Sequence, residues 1–333
     1  KSVKNRFYRL ELTSFPQNRT FSSLELSSRA MLDKYVIKQL GDIHPTPSPV
    51  YGTYIWPTQP EPELPNSVVA EGSVIDLTDQ MGPDGQLTWE VPPGDWVIAR
   101  FAMVSTGSKN GPAAPSGTGL ETDKMSAEHI GYHFDSFTGQ ILDRIPAENR
   151  KSFKFIIQDS YEKGPQNWTD EMIPHFRERF GYDPVPWLPV LTGRLVGKAD
   201  QSERFLWDLR RLVADLIATE YVGGITKKAE ANGLTGWLEN YGHWGYPAES
   251  LLYGKHSSEV SGEFWIEAGG LGTFECRQAA SAAHIYGKKE VFAEAFTSST
   301  PRFKITPDKH LKRYGDWAFC EGINRFILHV YHH

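Results

Sequence analysis

From about residue 116 onward the chain repeats one rhythm: a short apolar run, an abrupt polar exit, then an amphipathic stretch. "GLETDK" (119–124) leads into a helix near Ser126 to Ile141, and "FKFIIQDSYE" (153–162) into one from about Thr169 to Phe180. "SERFLWDLRRLVADLIATEYVGGITKKAEANG" reads as one long helix, capped by Ser202 and stopped at Gly233, with Phe205, Leu209, Leu212 and Leu216 on its core face. "LTGWLENYG" (234–242) follows it. A helix from Thr273 to Tyr286 runs into "EVFAEAF" (290–296), and one from Pro307 to Cys320 into "NRFILHVY" (324–331). About five such repeats imply a parallel sheet with helices outside it, which both a doubly wound sheet and a (β/α)8 barrel satisfy.

Residues 1–115 follow a different pattern. "RFYRLEL", "FSSLELSS", "SVIDLTD", "QLTWEV" and "DWVIARFAMV" alternate or run apolar over short lengths, punctuated by Pro and Gly. They predict a β-rich, sandwich-like accessory region, interrupted by a Pro-rich loop over 44–65. The division expected is therefore 1–115 accessory and 116–333 catalytic, an α/β (β/α)8 barrel. The chain opens on Lys1 without a leader and ends on the apolar run "NRFILHVYHH". Both ends lead us to expect a piece of a longer natural chain, its barrel truncated at the C-terminal end.

Composition removes several function classes. A formal net charge of −6, from 35 basic and 41 acidic residues, offers no electrostatic footprint for nucleic acid or an anionic membrane. Two cysteines are too few for a disulfide framework or a thiolate metal site. No glycine-rich phosphate loop follows a predicted strand, and His243, His256, His284 and His329 lack zinc spacing. The 10 Trp, 14 Tyr and 18 Phe suit aromatic cores and also sugar stacking; Trp168, Trp237, Trp244 and Trp265 fall near strand exits. Sequons occur at Asn18 and Asn167.

The predicted strand exits carry acids repeatedly: Glu121 and Asp123, Asp159 and Glu162, Glu239, then Glu294. In a barrel the C-terminal strand ends form one face, so these groups would share a bowl. Like charges gathered there cost stability unless they hold a cation or do acid–base work. Glu294 sits among Phe292, Ala293, Ala295 and Phe296, and this apolar setting predicts a protonated carboxyl suited to a general acid. Glu162, beside Asp159, Ser160 and Lys163, is expected to stay ionised, as a base requires. Such a pair is the equipment of glycoside hydrolysis.

The blocks "GTGLETDKMS", "DSYEKGPQNWT", "PWLPVLTGRLVG", "SERFLWDLRR", "SGEFW", "AASAAHIYGK", "AEAFTS" and "DWAFCEGINRFILH" resemble the α-L-rhamnosidases of glycoside hydrolase family 106, over about residues 90 to 331. The resemblance implies an inverting hydrolase with a (β/α)8 catalytic domain, β-rich accessory domains and a calcium ion in the active site that contacts rhamnose hydroxyls. It assigns Glu162 of "DSYE" as general base and Glu294 of "AEAF" as general acid. Glu263 of "SGEFW" matches an acidic active-site position, serving substrate or metal. Asp159, Trp237 and Asn240 join it as candidate substrate contacts. Glu239, with Glu263, is the candidate metal ligand, and Asp159 could add to them. A carbohydrate substrate and a periplasmic or extracellular bacterial location follow from the same likeness. A glycosidase for another sugar, and a non-catalytic carbohydrate-binding module, remain the alternatives.

Overall fold

A computed structural model describes residues 29–40, 57–64, 67–111, 113–164, 166–240, 249–266, 272–298 and 306–329. Five strands form one all-parallel sheet in sequence order: β1 (Phe155–Gln158), β2 (Thr235–Glu239), β3 (Glu259–Trp265), β4 (Val291–Thr297) and β5 (Arg325–Leu328). The sheet curls into half a barrel. Before it lie α1 (Tyr35–Lys38), α2 (Ala127–Phe134) and α3 (Gln140–Arg144), the last two joined by a π-helical turn. The crossovers carry α4 (Met172–Phe180), α5 (Ala199–Leu216), α6 (Gly223–Ala231), α7 (Ser250–His256), α8 (Thr273–Tyr286) and α9 (Arg313–Cys320).

Parallel partners share a face of the sheet, so the register separates outside from inside. Leu238 pairs with Val260, Val260 with Val291, and Gly262 with Ala293. These side chains face the helices. Val260, Val291 and Ala293 pack with Cys276, Ala279 and Ala283 of α8, and Leu238 with Leu206 and Leu209 of α5. Gly262 is fixed by closeness: a Cβ there would meet the carbonyl oxygen of Glu275 at 2.8 Å and the Cα of Cys276 at 2.9 Å. No side chain fits between β3 and α8, so "SGEFW" needs its glycine.

The other face bears Glu239, Ser261 and Phe292 in one row, and Glu263, Glu294 and Ile327 in the next. Beneath the acids lie aromatic rings. Phe292 meets Phe155 and Trp237 edge-on, each at 6.3 Å between centroids. The acids thus stand on an apolar floor.

The predicted long helix is one rod, α5 through α6, with a π-helical turn inserted over Ile217–Val222. Gly233 stops it at φ +71°. Ser202 is not its cap. It lies inside α5, where its hydroxyl bonds the backbone of Val196 and ties the preceding loop down. The π turn puts Tyr221 against the exit of β1: its carbonyl accepts from Gln158 Nε2 and its ring meets Tyr161 at 6.3 Å.

The expected sandwich strands are not found among the described residues of 29–115. Of "SVIDLTD", "QLTWEV" and "DWVIARFAMV", only the second makes a bridge, the isolated one of Leu87 with Met81, and Val97, Ile98 and Val104 stand exposed. Alternation gives a strand its two faces but not a partner, and no ladder forms without one. "RFYRLEL", "FSSLELSS" and most of the Pro-rich loop lie outside the described residues.

Candidate active site

The C-terminal ends of β1 to β4 each deliver a carboxylate to one bowl. Asp159 and Glu162 follow β1, Glu239 ends β2, Glu263 lies in β3 and Glu294 in β4. Their fields overlap: Asp159, Glu294 and Glu263 act on Glu239, and Glu294, Asp159 and Glu162 act on Glu263.

Depth divides them. Glu239 is 1% exposed and Glu263 6%. Burial pushes both carboxyls up, with the neighbouring acids adding to it; Glu263 reaches about 8 although the Trp265 indole N–H, bonded to its Oε1, pulls the other way. Glu239 rises further, with Asp159 the nearest of the acids that add to its burial. Glu294 is half-buried, and Asp159 and Glu162 are exposed.

Ser160 ties the β1 exit to the floor. Its backbone N–H donates to Glu239 Oε2 at 2.9 Å and its hydroxyl to Glu162 Oε1 at 2.7 Å. Glu294 Oε1 accepts from the Thr297 hydroxyl at 2.6 Å, with His329 Nδ1 3.1 Å away. Two of the apolar sequence neighbours of Glu294, Ala293 and Ala295, are therefore not its surroundings, while Phe292 shares its face. Strand alternation sends Ala293 and Ala295 to the helix side, and the carboxyl meets a hydroxyl and an imidazole instead. The strongest desolvation falls on Glu239 and Glu263.

Glu121 and Asp123 correct the expectation made for them. Among the described residues no strand precedes them, and an isolated bridge joins Lys109 to Leu120. Glu121 pairs with Lys124 at 2.6 Å. Asp123 accepts from the Met125 N–H, Gln166 Nε2 and the Thr169 hydroxyl. With Lys124 Nζ lying 5.3 Å from the centre of the Tyr161 ring, this segment clasps the loop that carries Glu162.

The remaining predicted residues separate in the same way. Trp237 is 2% exposed, its ring packed on Phe292 and its indole N–H without a partner. Asn240 is fully buried with both side-chain polar atoms unpaired. Trp265 serves Glu263, and Trp168 packs on the α4–α5 core. Arg325 pairs with Glu290 in an exposed surface bridge. Asn167 Nδ2 donates to the Gln39 carbonyl, a structural contact within its sequon. Trp244, His243 and Asn18 lie outside the described residues.

A calcium ion takes six to eight oxygen ligands. Asp159, Glu239 and Glu294 each offer an oxygen within 4.8 Å of the others, and Glu239 Oε1 is buried without a hydrogen bond. The chemistry of this all-oxygen set fits such a cation. Glu263 stands outside that group, its Oε1 engaged by Trp265.

A family model described as alpha-L-rhamnosidase, of glycoside hydrolase family 106, matches residues 8–333. The chain belongs to the α-L-rhamnosidase family. A solved rhamnosidase from Novosphingobium sp. PP1Y is 31% identical and superposes with a TM-score of 0.75, over 92% of this chain and 29% of that one. A protein of Formosa agariphila named "Putative beta-glucuronidase" is 37% identical over 271 residues, 80% of this chain and 22% of its own length. The chain thus spans less than a third of either relative. Among the described residues no helix is long and apolar enough to cross a membrane.

Ser160, Thr297 and His329 escaped the sequence reading. Ser160 and Thr297 are short hydroxyls beside acids, with no spacing rule to single them out. His329 is a lone histidine at a strand end. Its partner is set by the β4–β5 pairing of Ala295 with Leu328, which only the sheet reveals.

Proposed function

We propose that the bowl hydrolyses the glycosidic bond of a terminal α-L-rhamnosyl group with inversion, within carbohydrate substrates. The observation that carries this reading is the convergence on one bowl of two accessible carboxyls, Glu162 in the loop after β1 and Glu294 in β4, whose fields both reach Glu263. An inverting pair stands about 6.5–9.5 Å apart, which leaves room for a water between base and sugar.

Glu294, protonated on Oε2, gives its proton to the glycosidic oxygen as the bond from that oxygen to C1 breaks and its electrons pass to the leaving alcohol. A water on the opposite face of the ring attacks C1 and loses a proton to Glu162. Solvent then restores both groups. Trp237 and Asn240 supply an indole N–H and an amide that have no partner among the described residues, and a sugar hydroxyl at the bowl's base would satisfy them. Glu263, favoured in its protonated form, donates to the sugar as well.

A calcium ion bound by Asp159 and Glu239 would polarise and orient sugar hydroxyls. Coordination by Glu294 would keep that carboxyl ionised, so its acid role requires the ion to rest on the other two.

The Formosa relative's name suggests a β-glucuronide instead. A glucuronate would bring a further negative charge into a bowl already lined by acids, whereas rhamnose is neutral. Initial rates of the intact protein on p-nitrophenyl α-L-rhamnoside and p-nitrophenyl β-D-glucuronide test the choice. Rhamnoside turnover is expected. Turnover of the glucuronide alone would overturn the reading.

A further inference from the structure

Residues three apart in a regular strand point to opposite faces of the sheet. Thr297 nevertheless reaches Glu294 with its hydroxyl at 2.6 Å. The ladder explains how: Glu263 pairs with Glu294, yet Trp265 pairs with Thr297, so β4 uses three residues where β3 uses two. The adjustment falls on Phe296, whose φ of +62° is left-handed. That conformation is rare for a bulky side chain and persists only where the surroundings enforce it. Here the enforcement is aromatic packing, with Phe264 at 4.9 Å and Phe326 at 5.3 Å from the Phe296 ring. The bulge therefore turns Thr297 back onto the face that Glu294 occupies. Bulges are a recurrent means of re-aiming a side chain beside an active site.

The consequence is specific to one oxygen. Thr297 and His329 both contact Oε1 of Glu294, and among the described residues Oε2 has no hydrogen bond. A carboxyl held at Oε1 cannot rotate freely about its Cγ–Cδ bond. We infer that the β4 bulge is a positioning device, and Thr297 a positioning residue, that fixes Glu294 Oε1 so that Oε2 faces the leaving oxygen. The inference rests on the proposed role of Glu294 as general acid. It assigns no chemistry to Thr297 itself, which acts only through the carboxyl.

Leaving-group dependence tests it. A nitrophenolate departs with little proton assistance, whereas an alkoxide from methyl α-L-rhamnoside needs it in full. In the intact protein, T297V removes the hydroxyl at nearly constant shape and T297S restores it. A hydrogen bond to a carboxyl contributes on the order of 1.5–3 kcal/mol, so kcat on the methyl glycoside should fall roughly 10- to 100-fold in T297V. KM should change little, the p-nitrophenyl rate should fall far less, and T297S should recover the loss. A purely structural role would lower both rates together with the melting temperature, and that result overturns the inference, as does wild-type behaviour of T297V on both substrates. E294Q run alongside separates the two levels of argument. If E294Q shows the leaving-group split and T297V does not, the positioning claim fails and the acid assignment stands. If E294Q itself shows no split, the acid assignment falls and the inference falls with it.

Discussion

Glu239 and Glu263, at the floor of the bowl, are 1% and 6% exposed, and burial with neighbouring acids raises the proton affinity of both. At the rim, Glu162 is exposed and Glu294 half-buried, each bonded to a short hydroxyl near it in sequence. The same functional group thus appears at two depths with two kinds of control. At the floor, solvent exclusion sets the charge state. At the rim, hydrogen bonds set the orientation, which is what proton transfer to and from reacting atoms demands. Depth therefore sorts the bowl's acids into groups that shape the pocket's charge and groups that can exchange protons with substrate and water.

The largest effect should fall on the rim. E162Q and E294Q should each lower turnover of methyl α-L-rhamnoside by about 10²–10⁴-fold, with the melting temperature close to that of the wild type. Near-normal turnover in E162Q would remove the base from the account. At the floor, E239Q should abolish the cation response and not the fold. Wild-type protein in calcium at 100 times its dissociation constant should gain about 2.7 kcal/mol of stability, read by thermal melting with and without chelator. A calcium shift that survives in E239Q would place the ion elsewhere.

A smaller effect concerns pH. Glu263 rises from an ordinary 4.5 to about 8 on folding, so the folded state binds more protons across that window. Its stabilising contribution is complete below the unfolded value and is lost as pH climbs through about 8. E263Q should therefore lose less melting temperature between pH 5 and pH 8 than the wild type does. Parallel curves for the two proteins would show that Glu263 is not held protonated. The smallest change is W265F, which removes the indole donor from Glu263. It should cost about 1–3 kcal/mol and push the alkaline loss of stability to still higher pH. An unshifted curve would mean that the indole does not govern that carboxyl.

Four strands of the parallel sheet, β1, β2, β4 and β5, were legible because each contains an apolar run, whereas β3, "EVSGEFW", carries Glu259, Ser261 and Glu263 and was not read as a strand. Thr273–Tyr286 was placed as a helix with the bounds it has, since Gly272 and Gly287 punctuate both ends. The acids Asp159, Glu239 and Glu294 were likewise legible as a group, because strand ends of a parallel sheet must converge. Three further features were not fully legible. Alternation over 73–104 mimics strands, yet a ladder needs a partner that a local pattern cannot reveal. Glu121 and Asp123 resembled a strand exit, but their neighbours Lys124, Gln166 and Thr169 make them a clasp for the Glu162 loop. The setting of Glu294 was legible only in part, because Ala293 and Ala295 occupy the opposite face while Phe292 shares its own, and the bulge at Phe296 depends on aromatic contacts distant along the chain.

The most direct test of the account is the anomer released first, followed by proton NMR while the intact protein hydrolyses p-nitrophenyl α-L-rhamnoside, beside E162Q and E294Q. The account predicts β-L-rhamnose as the initial product, with E162Q nearly inactive and E294Q slowed far less on this good leaving group than on methyl α-L-rhamnoside. Initial release of α-L-rhamnose would mean retention, and would contradict a water activated by Glu162 opposite a proton donated by Glu294.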